Sequence, residues 1–391
     1  MIFKIAFRNV MSAGLRTWLN IIVLSLTLTV IVLLQGVYNG LFTQISGNRI
    51  NEELGQGQLW HNKYDPFDPL SLSEAHAAVS PAVQKAEKKR EAISILMVMG
   101  SAYPKGRITP AILKGIPADQ EILKLPFDKL KLDSPRGTMP AMIGRRMAKQ
   151  TELSIGDILT VRWRNSLGAY NAEDLSIVHI FDSLVPTIDN GQIWLSLDDL
   201  QKMNMSPGHA TIVVFAKPIE GEFGDSSFLS KTLDKLLADT YEFVKMKSSG
   251  GMVFYIMMIF LAMIAIFDTQ ALSIFKRRKE IGTLMALGMT NRQITATFTL
   301  EGVLHGVLAA IISAIYASPL IWYLQTYGYS FGVSSDQLGL AIGDRYYPDY
   351  TVGLVVQSVL IVMLILTVVS YLPARKITKL QPYDALRGRW S

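Results

Sequence analysis

The sequence predicts an α-helical membrane protein with four transmembrane helices and a mixed α/β extracytoplasmic domain inserted between helices 1 and 2. Three observations carry this. Half of the 391 residues are hydrophobic and only 18% are charged, against about 25% charged in an ordinary soluble domain. The long apolar runs lie near the N-terminus and in the last third, and roughly 200 residues of globular composition lie between them. Basic residues gather at the edges of the apolar runs.

The first span is the run without charge between Arg16 and Arg49, strongest from Leu19 to Tyr38. It exceeds the h-region of a signal peptide and no small-x-small site follows it, so it reads as a retained anchor. The second lies between Lys247 and Lys276, where Asp268 is the only charge. An acid at a helix centre costs about 2.5–3.5 kcal/mol, and each Ile, Leu, Phe or Val returns about 0.3–0.6. Met252 to Phe275 holds twelve such residues, so insertion wins. Gly302–Tyr327 and Thr351–Ala374 carry no charge and supply spans 3 and 4. Each can cross as a helix, because a helix satisfies its own backbone hydrogen bonds in hydrocarbon.

Orientation follows from the flanks. Lys4, Arg8 and Arg16 precede span 1. Lys276, Arg277, Arg278, Lys279 and Arg292 lie between spans 2 and 3, and Arg375, Lys376, Lys379, Arg387 and Arg389 follow span 4. These 13 basic residues face only Glu280 and Asp384, which leaves the rest of the chain at net −5 within a total of +6. The positive charge therefore marks cytoplasmic edges and implies no nucleic-acid partner. The expected division is 1–16, TM1 at 17–40, an outer domain at 41–249, TM2 at 250–275, a cytoplasmic loop at 276–300, TM3 at 301–327, a short external loop at 328–350, TM4 at 351–373 and a cytoplasmic tail at 374–391.

In the outer domain, Leu159, Val161 and Trp163 alternate with Ile158, Thr160 and Arg162, the period of a half-buried strand. Gly191–Leu195 and Thr211–Phe215 read as strands. Ser196 reads as the N-cap of a helix over Leu197–Met203. Leu229–Val244 reads as a longer helix running toward span 2, and residues 61–81 as a loop. There is no cysteine, which excludes disulfides, thiolate metal sites and a cysteine nucleophile. His61, His76, His179, His209 and His305 lack metal-ligand spacing, and no GxSxG elbow occurs. No GxxxxGK[ST] loop occurs either, so nucleotide-driven work requires a separate ATPase.

The most specific stretch is 276–294, KRRKEIGTLMALGMTNRQI. It reads as a basic cluster followed by a short amphipathic helix. Ile281, Leu284, Met285 and Leu287 form an apolar stripe, and Gly288 is a C-cap. The bland reading is a basic helix lying on anionic lipid. The sharper one is a coupling helix that docks into a cytoplasmic partner.

This stretch resembles the signature of the FtsX/MacB-like ABC permease family, RRREIGxLRALGxxRRQI. Arg277, Arg278, Glu280, Ile281, Gly282, Leu284, Ala286, Leu287, Gly288, Arg292, Gln293 and Ile294 stand at matching positions, and Lys279 departs from the more frequent Arg. FKIAFRNVMSAGLRTWLNIIVLSLTLTV is similar to the family's amphipathic elbow helix and first span. AMIGRRMAKQTELSIGDILTV and GQIWLSLDDLQKM are similar to its extracytoplasmic core. PARKITKLQPYDALR is similar to its C-terminal PAxxAxxxxPxxALR, through Pro373, Ala374, Arg375, Pro382, Ala385 and Leu386.

The resemblance implies a permease subunit in the bacterial inner membrane, with both termini cytoplasmic. It would pair with a second permease subunit, identical or paralogous, and with a cytoplasmic ABC ATPase dimer. This chain would bind no cofactor, ATP–Mg residing on the partner. Closure of the ATPases would move the outer domains mechanically, through stalk segments at 38–50 and 229–250. The coupling helix would use Glu280, Ile281, Gly282, Leu284, Leu287, Gly288, Arg292 and Gln293. A single large outer domain without a fused ATPase fits the lipoprotein-releasing (LolC/LolE-like) branch. The alternatives are an efflux permease with an outer adaptor protein, or a division-type scaffold that activates cell-wall hydrolases. Asp268 is expected to play a structural, hydrogen-bonding part inside the membrane.

Overall fold

The computed structural model describes residues 2–12, 14–134, 137–219, 223, 226–330, 341 and 345–375, without the side chains of 2, 16 and 278. Lys376, Lys379, Pro382, Asp384, Ala385, Leu386, Arg387 and Arg389 of the tail lie outside the described residues, as does the Arg278 side chain.

The chain opens with helices α1 (Ile2–Met11) and α2 (Leu15–Arg49), followed by one π turn (Ile50–Leu54). Then come β1 (Gly57–His61), a 3-10 turn (Pro69–Ser73), β2 (Ala77–Ala78), α3 (Pro81–Lys88), β3 (Ala92–Ala102), β4 (Thr109–Ile116), β5 (Met139–Gly144) and α4 (Arg145–Thr151). Next are β6 (Ile158–Arg164), β7 (Tyr170–Phe181), α5 (Pro186–Asp189), β8 (Gln192–Ser196), α6 (Leu197–Met203), β9 (His209–Ala210), β10 (Ile212–Phe215), β11 (Phe228–Thr232) and α7 (Leu233–Leu236). The last part is helical: α8 (Ala238–Lys276), α9 (Arg278–Ala286), α10 (Asn291–Tyr327) and α11 (Val352–Arg375). Helices α8, α10 and α11, and α2 with its π turn, are long and apolar enough to cross a membrane.

Contacts divide the chain into two compact units: residues 1–41, 243–329 and 346–391, and residues 42–242 with 330–345. The second is mixed α/β. Its strand order is β11-β1-β10-β3-β4-β8-β5-β7-β6, and β6 also pairs with β3. Strands β3, β4, β8, β5, β7 and β6 thus close a six-stranded barrel, and β10, β1 and β11 extend from the long strand β3. Leu96, Leu113, Ile143, Leu159, Val161, Trp163, Ile177 and Ile193 belong to one buried cluster, as side chains fill a barrel this small. In β6, Leu159, Val161 and Trp163 are buried while Ile158, Thr160, Arg162 and Arg164 are exposed, as the alternation requires. Ser196 caps α6 by accepting from the Asp199 amide at 3.3 Å.

Two expectations need correction. Residues 229–232 are not helical; they lie in β11, antiparallel to β1 with Leu229 opposite Trp60. Phe228 is buried while Leu229 and Ser230 are exposed, and the pairing outweighs the helical propensity of the following residues. Residues 61–81 are also not simply a loop. They contain the 3-10 turn capped by Asp68, strand β2 and the start of α3.

In the helical unit, close approach depends on glycine. A Cβ at Gly36 of α2 would strike the Tyr350 ring, and one at Gly40 would strike the 347–349 backbone. Gly302 and Gly306 of α10 likewise admit Ser370, Leu366 and Met363. Small residues at helix contacts are the usual device where no hydrophobic drive separates helix from lipid. Thr29 of α2 bonds Ser313 of α10 at 2.8 Å.

Candidate functional site

Helix α9 is short, and its ends are specified locally. Glu280 lies in its first turn, where a carboxylate complements the helix dipole. At the other end Gly288 has φ +96, its amide donates to Met285 O at 3.0 Å, and the Met289 amide donates to Leu284 O at 3.0 Å. A left-handed glycine past the last helical residue is a common helix stop. Thr290 then opens α10 with a capping box: its Oγ1 accepts from the Gln293 amide, and its own amide donates to Gln293 Oε1. Gln293, expected on the coupling surface, is a capping residue here.

The apolar stripe splits. Ile281 is buried in a cluster with Ile274, Ile294, Phe298 and Ala374, and Met285 packs against it. Leu284 is half-buried and Gly282 buried. Leu287 is 78% exposed and Arg292 is exposed. One side of the segment therefore holds α9 to the bundle, and Leu287 and Arg292 are left on its surface.

Arg277, the residue between α8 and α9, organises this corner. Its Nε and Nη2 donate to both oxygens of Glu280, at 2.7 and 3.0 Å. Its Nη1 donates to Glu301 Oε1 of α10 at 3.0 Å. That same oxygen accepts from Asn9 Nδ2 of α1 at 2.6 Å. The guanidinium also sits over the Phe298 ring at 5.2 Å. Burial works against the Arg277 charge, but the hydrogen bonds of the two glutamates outweigh it and raise the group above its ordinary range. Glu280 therefore has its ion-pair partner, Arg277, within the chain, alongside its place in the first turn of α9. Four helices, α1, α8, α9 and α10, meet at one ion-pair network. Asn9 and Glu301 were missed from the sequence, since Glu301 stands just before the charge-free run that begins at Gly302.

Asp268 lies on an exposed face of α8. The neighbouring Thr269 hydroxyl donates to Ala265 O at 2.9 Å and accepts a close hydrogen bond from Asn20 Nδ2 of α2. Gln270 is buried. In the α/β unit, Arg49 at the end of α2 donates to both carboxylate oxygens of Asp239, at 2.9 and 3.0 Å, and to Thr240 Oγ1 at 2.7 Å. This clamp joins the end of α2 to the first residues of α8. The histidines are scattered. His76 and His209 meet through Nδ1 atoms 3.0 Å apart, His179 lies in β7, and His305 is buried in α10. Among the described residues no group of three or more side chains could hold a metal ion.

Residues 252–382 match the family described as FtsX-like permease C-terminal. That stretch is similar to an FtsX-like permease domain, in a chain whose described residues include four helices long and apolar enough to cross a membrane. The matched residues take in most of α8 and all of α9, α10 and α11, and so include the whole Arg277–Glu280–Glu301 network. Among solved structures, the chain is similar to the extracellular domain of the noncanonic ABC-type transporter YknZ from Gram-positive bacteria. That similarity covers 48% of this chain and 94% of the other, at 14% identity and a TM-score of 0.25. No curated protein matches the chain.

Proposed function

We propose that this chain is the permease subunit of an ABC transporter and that it turns ATP hydrolysis by a separate cytoplasmic ATPase into motion of its α/β unit. The match of residues 252–382 to an FtsX-like permease domain carries the reading. In this account α9 is the coupling helix, and Leu287 and Arg292 are its contact surface. The Arg277 network passes a push on α9 to α1, α8 and α10 together. Helices α2 and α8 have 35 and 39 residues, well beyond the roughly 20 that cross a bilayer, and the Arg49–Asp239 clamp makes their far ends move together. The basic edges support a reading with α9 and both termini in the cytoplasm and the α/β unit outside the inner membrane. The membrane-length window of α8 is the least buried of the four, which suits a second permease subunit packed against it. Release of lipoproteins from the inner membrane is the cargo reading, drawn from the size of the single outer domain.

The test is affinity purification of the full chain in mild detergent. Stoichiometric recovery of an ABC ATPase, with a lipoprotein as cargo, is expected. Recovery of the chain with no nucleotide-hydrolysing partner would refute the transport reading, and an ATPase accompanied by an outer adaptor instead of a lipoprotein would refute the cargo.

A further inference from the structure

The α/β unit carries a cleft of about 640 Å³ on the outer wall of the barrel, between the 70–76 segment and the β6–β7 hairpin. Its volume falls within the range typical of ligand sites, about 300–1,000 Å³. Arg162 and Arg164 of β6 line it, and both point away from the barrel core. The Arg162 guanidinium lies 5.1 Å over the Tyr170 ring, and Arg164 Nε donates to Gly168 O at 3.1 Å. Among the described residues neither arginine is ion-paired. The one carboxylate in the lining, Glu74, is held by Lys63 at 2.6 Å. The cleft thus presents two arginines with no ion-pair partner within it.

Its two sides are turns held by side-chain-to-backbone hydrogen bonds, with apolar residues at their tips. In the hairpin, Asn165 Oδ1 accepts from the Leu167 and Ala169 amides at 3.0 and 2.9 Å, and this turn holds Leu167 out at 77% exposure. Opposite, Asp68 caps the 3-10 turn through the Leu70 amide at 3.0 Å, and Leu72 is buried beneath it while Leu70 stays 69% exposed. Tyr170, also 69% exposed, and Met99 complete the apolar rim. Walls already ordered lose little freedom on binding.

The charge spacing selects the occupant. Arg162 and Arg164 are two residues apart on one strand, so their Cα atoms are about 6.4–6.8 Å apart on one face. An extended peptide places side chains i and i+2 on one face at the same pitch. We infer that the cleft binds an extended acidic segment of a partner protein, with Asp or Glu two residues apart over Arg162 and Arg164 and apolar side chains against Leu70, Leu167 and Tyr170. The inference concerns the α/β unit alone and holds whatever drives the helices.

The test is selection of random seven-residue peptides displayed on phage against the full chain in neutral detergent, with the Arg162→Glu/Arg164→Glu variant as counter-target. Both residues are exposed, and an unchanged circular dichroism spectrum checks that the variant folds. The expected result is enrichment of acidic pairs spaced i, i+2. The selected peptide, made synthetically, should bind at least about tenfold more weakly to the charge-reversed variant and more weakly to Leu167→Ser. Peptides without acidic enrichment, or equal binding to the charge-reversed variant, would overturn the inference. So would phosphatidylglycerol vesicles binding through the same arginines while no peptide does, which would make the site one for lipid.

Discussion

Arg277 shows at the residue scale why one charge holds this corner together. Its partner Glu301 is nearly buried, with a side chain only 6% exposed, so losing the guanidinium strands an anion. Breaking such a pair from one side typically costs about 3–5 kcal/mol. Arg277→Met should therefore lower the thermal midpoint of the purified chain sharply, and adding Glu301→Gln should restore part of the loss. No restoration, with the two losses simply adding, would show that the two residues are not coupled. Lys114 makes a second, independent case. It is buried in β4 with Nζ 5.1 Å over the Trp194 ring, and burial pushes its pKa down to about 8. Between pH 8 and about 10.5 the folded chain has released a proton that the unfolded chain still holds, so stability rises with pH across that window. Lys114→Met should abolish the rise and stabilise the chain below pH 8 by up to roughly 3 kcal/mol, the shift from 10.5 to about 8 at 1.36 kcal/mol per unit. Chemical denaturation at pH 7 and pH 10 checks both. Arg277 stood out in the sequence as part of the basic cluster, but its partners Asn9 and Glu301, and Lys114, did not. Lys114 is one lysine among many, and Asn9 and Glu301, which share an oxygen contact, are 292 positions apart.

Local rules at the scale of single elements were legible wherever one short stretch carried the whole signal. The alternation in β6, the Ser196 cap of α6 and the Gly288 stop of α9 each depend on residues within a few positions. The 229–232 stretch was not legible, because its conformation is decided by β1, some 170 residues earlier. The 276–294 segment was legible as a helix but not in the division of its faces. Ile281 holds α9 to the bundle, Gln293 closes the capping box, and Leu287 remains free on the surface. This division makes a specific expectation. Leu287→Asp removes no buried contact, so stability should change by no more than about 0.5 kcal/mol, while co-purification of the ATPase should fall. Glu280→Lys should instead weaken both, because it breaks the bidentate pair with Arg277. A Leu287→Asp chain that unfolds, or that keeps its full complement of ATPase, would remove α9 from the coupling role.

For the whole molecule, the four membrane-length helices found among the described residues were readable from long apolar runs, three free of charge and one interrupted only by Asp268, since each run is continuous in sequence. Closure of the barrel was not, because β3 meets β4 on one edge and β6 on the other through pairings that no local pattern encodes. The central claim is that this chain carries work across a membrane, with the α/β unit and α9 on opposite sides of it. The chain has no cysteine, so an introduced thiol is the only one that reacts. Ser227→Cys in the α/β unit should react with a membrane-impermeant maleimide in cells whose outer envelope has been made permeable. Thr290→Cys, which follows α9, should react only after the inner membrane is opened. Protection of Ser227→Cys together with labelling of Thr290→Cys in intact cells would invert the orientation and contradict the account.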